Sequence, residues 1–404
     1  RSEFILNGMT PKIFRGRLTL ADRILAQGEI RIAAGRITAV GEQNSLGHPP
    51  ADSEIIDAGD GYIAPGYVDL HVHGGAGADF MDGSDEAFAT VLAAHARHGT
   101  TSIVPTTTAA RHELILAMLA CCRRAREAGG HGARVLGAHL YGPYFRYEAR
   151  GCHPAAPVRA PAADEYRQYL DSGVVLTASI APELPGAEAF TRACLDCGVR
   201  MNAGHTHATF DQMADAVRWG VRHVDHLYCA MSDKSKLRQQ QPYPMRGGVL
   251  EATLYFDELT TEVIADGKHL SPDLLLLALK IKGLDRLALV TDCNRALDMP
   301  EGEYLFGPLD GGELFIHEDG VGKMPGGAAL ASGVRGMDHM VRTFVELTER
   351  PVWEAVRMAS LTPARIVGHD RDLGSLEIGK RADVLVLDED LGVTQVYISG
   401  EPLA

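Results

Sequence analysis

The sequence predicts an α/β protein: a (β/α)8 barrel of the TIM type, with a small β-sandwich domain formed from both termini. Three observations lead there. Eight short apolar runs alternate with helical periodicity through the middle of the chain. Both ends are strand-rich and broken by turns instead. The length of 404 residues is enough for one large core and a smaller one.

The elements follow in order. Between Lys12 and Gly61 the runs Ile13–Thr19 and Glu29–Ile32 alternate apolar and polar residues, and Ala34–Gly41 reads as a turn and another strand. Ile63–Leu70 reads as a turn feeding a buried strand, Tyr67–Val72. Further strands are predicted at Thr101–Thr107, Arg134–Leu140, Val174–Ile180, Val199–Ala203, His223–Leu227, Glu262–Ala265 and Leu287–Thr291. Helical spacing fills the gaps, as at Ala87–His98, Glu113–Ala128, Glu188–Cys197, Phe210–Gly220 and Pro272–Ile281. Strands separated by helices pair in parallel through crossovers, and eight of them close most simply into a barrel. The tail, Asp383–Leu387 and Thr394–Gly400, returns to the character of the start, so the two ends are expected to pair. The chain thus divides into residues 1–62 and 370–404 for the small β domain and 63–369 for the barrel.

Composition narrows the function. A net charge of -14 argues against a nucleic-acid partner, which needs a basic face, but leaves room for a small anion held by a few local cations. Seven cysteines without a CxxC–CxxC pattern read as reduced, mostly buried thiols, so a cytoplasmic location is expected. No apolar run reaches the ~18–20 residues that span a bilayer. Arg1–Gly8 lacks the basic, apolar and small-residue order of a signal peptide, and Met9 is a candidate start.

The chemistry collects at strand ends. His71 and His73 close the first strand, and residues i and i+2 of a strand share a face, so both imidazoles converge. Two neutral imidazoles make half a site for a divalent metal. Gly74, Gly75 and Gly77 follow, where the loop must bend tightly. Tyr141 follows the third strand, and His205 and His207 the fifth. His226 ends the sixth, Asp266 and His269 follow the seventh, and Asp292 ends the eighth. A lone histidine is more often scaffold than ligand, and a lone aspartate after a strand is often a helix cap. Their recurrence at five strand ends, where barrels of this type carry their active sites, points to a catalytic metal centre.

The motifs PGYVDLHVHG, HLYGPYF, GCHP, AGHTHA, DHLYCAM, ADGKHL and VTD, with the tail TPARIVG…GSLEIGKRADVLVLD, carry a resemblance over nearly the whole chain. The chain resembles the metal-dependent amidohydrolase superfamily, and within it the N-acetylglucosamine-6-phosphate deacetylases. The resemblance implies a zinc-type centre of one or two ions. His205 and His226 match the family's metal-holding histidines, and His71 and His73 the superfamily's first-strand pair. Asp292 matches the catalytic aspartate, which takes a proton from water and returns it to the leaving amine. His153 matches a histidine that contacts the acyl group. His269 and Arg246 fall where the family holds the sugar phosphate from a neighbouring subunit, so the resemblance implies a homodimer and a small-molecule substrate. The implied reaction is hydrolysis of the acetamide of an N-acetyl amino sugar, N-acetylglucosamine 6-phosphate or a close relative, to amine and acetate. Two other readings stand beside it. One is a single-metal amidohydrolase acting on another N-acyl compound, a cyclic amide or an aminated ring. The other is a silent paralogue used as a scaffold, against which the convergent ligands argue.

Two positions depart from the family pattern. Tyr141 stands where the family has a metal-binding glutamate, and a phenol is a poor ligand unless the metal ionises it. Three arrangements are open: Tyr141 ligates as phenolate, the metal moves to His71, His73, His205 and Asp292, or Glu148 swings in. The complete His-x-His pair favours the second. After the sixth strand, Cys229-Ala230-Met231 replaces the family's Asn-Ala-Met, whose amides cradle phosphate. Lys234, Lys236 and Arg238 crowd the next segment, read as a solvated loop or, alternatively, an anion clamp.

Overall fold

The computed structural model describes residues 10–50, 52–130, 132–327 and 329–403. The expectations placed on Arg1–Gly8 and Met9 lie outside the described residues. Strands from both ends of the sequence form one seven-stranded sheet. Its order is Glu401–Pro402, Val393–Ile398, Val384–Leu387, Glu54–Pro65, Lys12–Thr19, Ile24–Ala33, Arg36–Glu42. Alternation sends Phe14, Leu18, Ile30, Ile32 and Ile63 to one buried cluster, joined by Val384, Val386 and Tyr397. An isolated bridge between Arg36 and Arg381 curls the far edge back toward the C-terminal segment. Ile63–Pro65 is not the expected turn. It ends the long strand Glu54–Pro65, and only Gly66 separates it from Tyr67–Val72. A Cβ on Gly66 would sit 2.1 Å from the Thr101 hydroxyl, so the two strands join this closely only through glycine.

The middle of the chain is α/β, with a curled parallel sheet. Ala138–Leu140, Val175–Ile180, Arg200–Ala203, Val221–Val224, Thr260–Val263 and Leu287–Leu289 pair in that order, all parallel. Tyr67–Val72, Thr100–Pro105 and Arg134–Val135 form a second parallel sheet. Single parallel bridges, Thr106 with His139 and Val72 with Cys293, join the two. The expected strand Arg134–Leu140 is therefore two short strands, broken at Leu136-Gly137 where the chain passes between sheets. Tyr67–Val72 and Thr100–Pro105 are buried throughout, as parallel strands covered on both faces must be. Helices fill the crossovers, and their starts are written locally. Ser84 caps Asp85–Arg97, Thr209 and Gln212 form a capping box on Phe210–Trp219, and Pro272 opens Pro272–Lys282.

One element was not expected. After Leu287–Leu289 the chain forms an antiparallel three-stranded meander, Gly302–Phe306, Glu313–Glu318 and Val321–Lys323, before helix Met337–Thr348. Its tight turn is Asp319-Gly320, both at positive φ (55° and 73°), the backbone that a two-residue hairpin needs. Phe306, Phe315, Ala296, Ala331, Val334 and Cys152 form its own small core. Among the described residues no helix is long and apolar enough to cross a membrane. All seven cysteines are free; five are buried, Cys229 is partly covered and Cys197 is exposed.

Candidate active site

The C-terminal ends of the parallel strands deliver His71, His73, Tyr141, His205, His226 and Asp292 to one place, all buried. His71 Nδ1 donates to Glu262 Oε1 at 2.6 Å. Its Nε2 has no hydrogen-bond partner among the described residues and faces Asp292 Oδ1 at 3.6 Å. His73 Nε2 lies 3.3 Å from the same oxygen, and the Ser332 hydroxyl donates to it at 3.0 Å. Beside this group, His205 Nε2 and His226 Nε2 face each other at 3.3 Å. The Tyr141 hydroxyl lies 2.5 Å from the same His226 nitrogen.

These positions are held at a backbone cost. His205, His226 and Asp292 have φ of 46°, 23° and 45°, in the left-handed region that residues with a Cβ seldom adopt. Such strain persists only where the surroundings over-determine it, and it concentrates at functional sites. The surroundings here are buried carboxylates. Glu262 accepts from His71, from the backbone of His226 and from His223. Asp225 accepts from Ser179 and Asn202, and Asp69 accepts from Thr291, directly before Asp292.

The electrostatics leave mostly neutral imidazoles around one anion. Burial pushes His73, His205 and His153 down, and it takes His226, with help from His71, to about 4. Burial works the same way on His71, but Glu262 and Asp292 overcome it and hold the ring up to about 9. Asp292 is the converse: burial favours its acid form, yet His71 and His73 keep it ionised well below the usual carboxylate range. Burial, then Asp225 and Asp292, push the Tyr141 phenol far above its ordinary value, so it stays protonated.

The donor set fits a divalent transition metal. His71, His73 and Asp292 offer ligand atoms within 4.8 Å of one another. The buried, unpartnered Nε2 of His71 is the atom a metal would satisfy. A carboxylate on the opposite ring nitrogen, as Glu262 is here, is the usual way to fix a ligating histidine's tautomer. Imidazole nitrogen with carboxylate oxygen suits zinc and its neighbours. A second group, His71 with Asp225 and Glu262, is equally compact, but its carboxylates are already occupied by the hydrogen bonds above.

A cavity of about 450 Å³ opens over this centre. His153 lines it. Its Nδ1 accepts from the Ala109 N–H at 3.1 Å, so the neutral ring carries its proton on Nε2 and has a donor to spend. Cys229, Ala230 and His269 also line the cavity. His269 donates to Asp266 at 2.7 Å, and although burial opposes its charge, Asp266 raises it. It thus faces the cavity of its own chain. Arg246 does not line it; it lies exposed, 3.5 Å from Asp211. Glu148 is at the cavity but exposed and paired with Arg146. Lys234, Lys236 and Arg238 lie on a short helix, Lys234–Gln240, capped by Asp233, rather than in a loop. Of the three only Lys236 lines the cavity, its Nζ donating to Met231 O at 2.7 Å.

Sequence reasoning missed Glu262, Asp225, Ser332 and Phe306. Glu262 carried a signal, a charge at the head of the apolar run Val263–Ala265 within a predicted strand. Phe306 carried none of its own, since the Asp319-Gly320 turn announces only the pairing of Glu313–Glu318 with Val321–Lys323 and not the strand before it.

A family model described as the amidohydrolase family matches residues 62–403. The chain is 35% identical over 395 residues to an N-acetylgalactosamine-6-phosphate deacetylase of Escherichia coli O157:H7, covering 97% of this chain and 99% of that one. It is 31% identical over 373 residues to an N-acetylglucosamine-6-phosphate deacetylase of Vibrio furnissii, covering 91% and 88%. Among solved structures it is similar to a mutant N-acetyl-D-glucosamine-6-phosphate deacetylase of Mycobacterium smegmatis in complex with N-acetyl-D-glucosamine-6-phosphate. The TM-score is 0.88 and the identity 31%, covering 98% of this chain and 100% of that one.

Proposed function

The chain belongs to the amidohydrolase family, and from that membership we propose that it removes acetate from an N-acetyl amino sugar 6-phosphate. The substrate is N-acetylglucosamine 6-phosphate or a close relative such as its galactosamine counterpart. The observation that carries the reading is the pairing, in one cavity, of an ionised Asp292 with a neutral His153 whose Nε2–H is free to donate. Both are what hydrolysis of an unactivated amide requires.

A divalent ion, with zinc the best fit, would be held by His71, His73, His205 and Asp292, and would supply an acidified water and a Lewis acid for the carbonyl. Tyr141, hydrogen-bonded to His226 Nε2, supports this arrangement, because it occupies the lone pair that His226 would otherwise offer. The chain's own residues do the rest. Asp292 takes a proton as water adds to the amide carbon and gives it to the departing nitrogen. His153 donates from Nε2 to the acyl oxygen as negative charge grows there. His269, with Asp266 behind it, and Lys236 meet the phosphate beside Cys229 and Ala230. Arg246, outside its own cavity, reaches the site of a second copy in a homodimer, and the location is cytoplasmic. The parallel strands and the two seam bridges support a closed (β/α)8 barrel over 63–369. The strands of 10–62 and 370–403, curled at Arg36, support a small β-sandwich domain.

A second reading, a single-metal amidohydrolase acting on another N-acyl compound, a cyclic amide or an aminated ring, is favoured by Tyr141 alone. The deciding assay is acetate release by zinc-loaded protein from both N-acetylhexosamine 6-phosphates, beside the unphosphorylated sugars. Release that depends on the phosphate is expected. Ammonia from aminated rings, with no acetate from any sugar, would reverse the ranking.

A further inference from the structure

The unexpected hairpin brings one side chain into the site. Phe306 ends its first strand, and its ring lies 4.9 Å from that of His73 and 5.1 Å from that of His153, centroid to centroid. It lines the cavity, yet only 1% of its surface is exposed. The ring is therefore a fixed wall rather than a mobile cover. Two features fix it. Behind it, Phe315, Ala331, Val334 and Cys152 fill the hairpin core, so the ring has no space to retreat. On either side Arg295 grips the backbone, donating to Leu305 O at 2.7 Å and to Gly307 O at 2.6 Å. That guanidinium is itself buried and paired with Asp82. Arg295 lies three residues beyond Asp292, so one loop ties the reacting carboxylate to the wall.

The wall stands where the acyl chain must go. In the deacetylase reading, on which this rests, the acyl oxygen meets His153 and the acyl carbon faces Asp292. The substituent on that carbon then points at whatever borders both His73 and His153, and Phe306 borders both. We infer that Phe306 sets the length of the acyl group: it fits a methyl and leaves no room for a longer chain. Arg295 is a positioning residue for it.

The experiment compares N-acetyl-, N-propionyl- and N-butyrylglucosamine 6-phosphate with zinc-loaded wild-type, Phe306→Leu and Phe306→Ala protein, reading kcat/KM for each acid released. In wild type each added methylene is expected to lower kcat/KM by about tenfold or more. The butyryl-to-acetyl ratio should rise by at least about tenfold in Phe306→Ala, with Phe306→Leu between. The leucine variant keeps the hairpin core filled and guards against a folding defect. An unchanged ratio in both variants, with wild type releasing acetate, overturns this inference alone. No acid from any of the three substrates with wild type overturns the deacetylase reading, and this with it.

Discussion

Asp292, His205 and His226 each hold a backbone conformation that their side chains disfavour, because only there do the side chains converge. In the proposed reaction, replacing Asp292 with asparagine keeps the shape but removes the base, so acetate release per bound metal should fall about 10²- to 10⁴-fold. A smaller loss would assign the proton transfer elsewhere. The placement of the metal is tested by ion content: Tyr141→Phe retains it and His71→Ala loses it. The opposite result would return the ion to His226 and Tyr141. At this scale the sequence was informative where chemistry repeats at a short interval. His71 and His73 are two apart on a strand, so their shared face is dictated by the pleat. Glu262, hydrogen-bonded to His71 across 191 positions, is fixed by tertiary pairing alone. Tyr141 stood out as a departure, but that its hydroxyl would meet His226 followed only from three dimensions.

Elements were legible according to how local their cause is. Phe210–Trp219 was expected at Phe210–Gly220 from its helical spacing, and its capping box and glycine stop are equally local. The hairpin after Leu289 has an equally local turn, but its strands follow the pattern of neither a parallel strand nor a helix and break the alternation on which the barrel prediction rested. Helix Asp85–Arg97 ends on His98, which joins three elements. Its Nδ1 lies 3.0 Å from Asp338, in helix Met337–Thr348, and its Nε2 lies 2.9 Å from Asp298, in the loop beyond Asp292. Burial opposes a charge on this ring, but the two carboxylates hold it up to about 9. Its folded pKa is raised above the unfolded 6.5, so its contribution is complete below pH ~6.5 and is lost as pH rises through about 9. His98→Ala should lower unfolding free energy by about 2 kcal/mol near pH 6, and by markedly less at pH 9.5. An equal loss at both pH values in denaturant titrations would leave only packing as the cause.

At the scale of the molecule, the acidic balance of the chain leaves recognition of the proposed phosphorylated substrate to few groups, and Arg246 is not at its own cavity. If it serves a second copy, Arg246→Ala and Asp292→Asn are each impaired alone. Mixed chains after subunit exchange should regain about a quarter of wild-type activity, because a heterodimer holds one site with both groups intact. No recovery, in protein that sediments as a dimer, would exclude Arg246 from the site of a second copy. The pairing of the two ends was legible because both share one composition; how their strands interleave was not. Val384–Leu387 lies against Glu54–Pro65, 319 positions from Pro65 to Val384. This has a consequence for how the molecule is made. A ribosome will have released nearly the whole parallel sheet before the second partner of Glu54–Pro65, on the side away from Lys12–Thr19, exists. Until Val384–Leu387 emerges, the nascent chain carries an open strand edge that another nascent chain can occupy. Synthesis stalled short of Val384 should therefore yield polymers rather than a shortened enzyme.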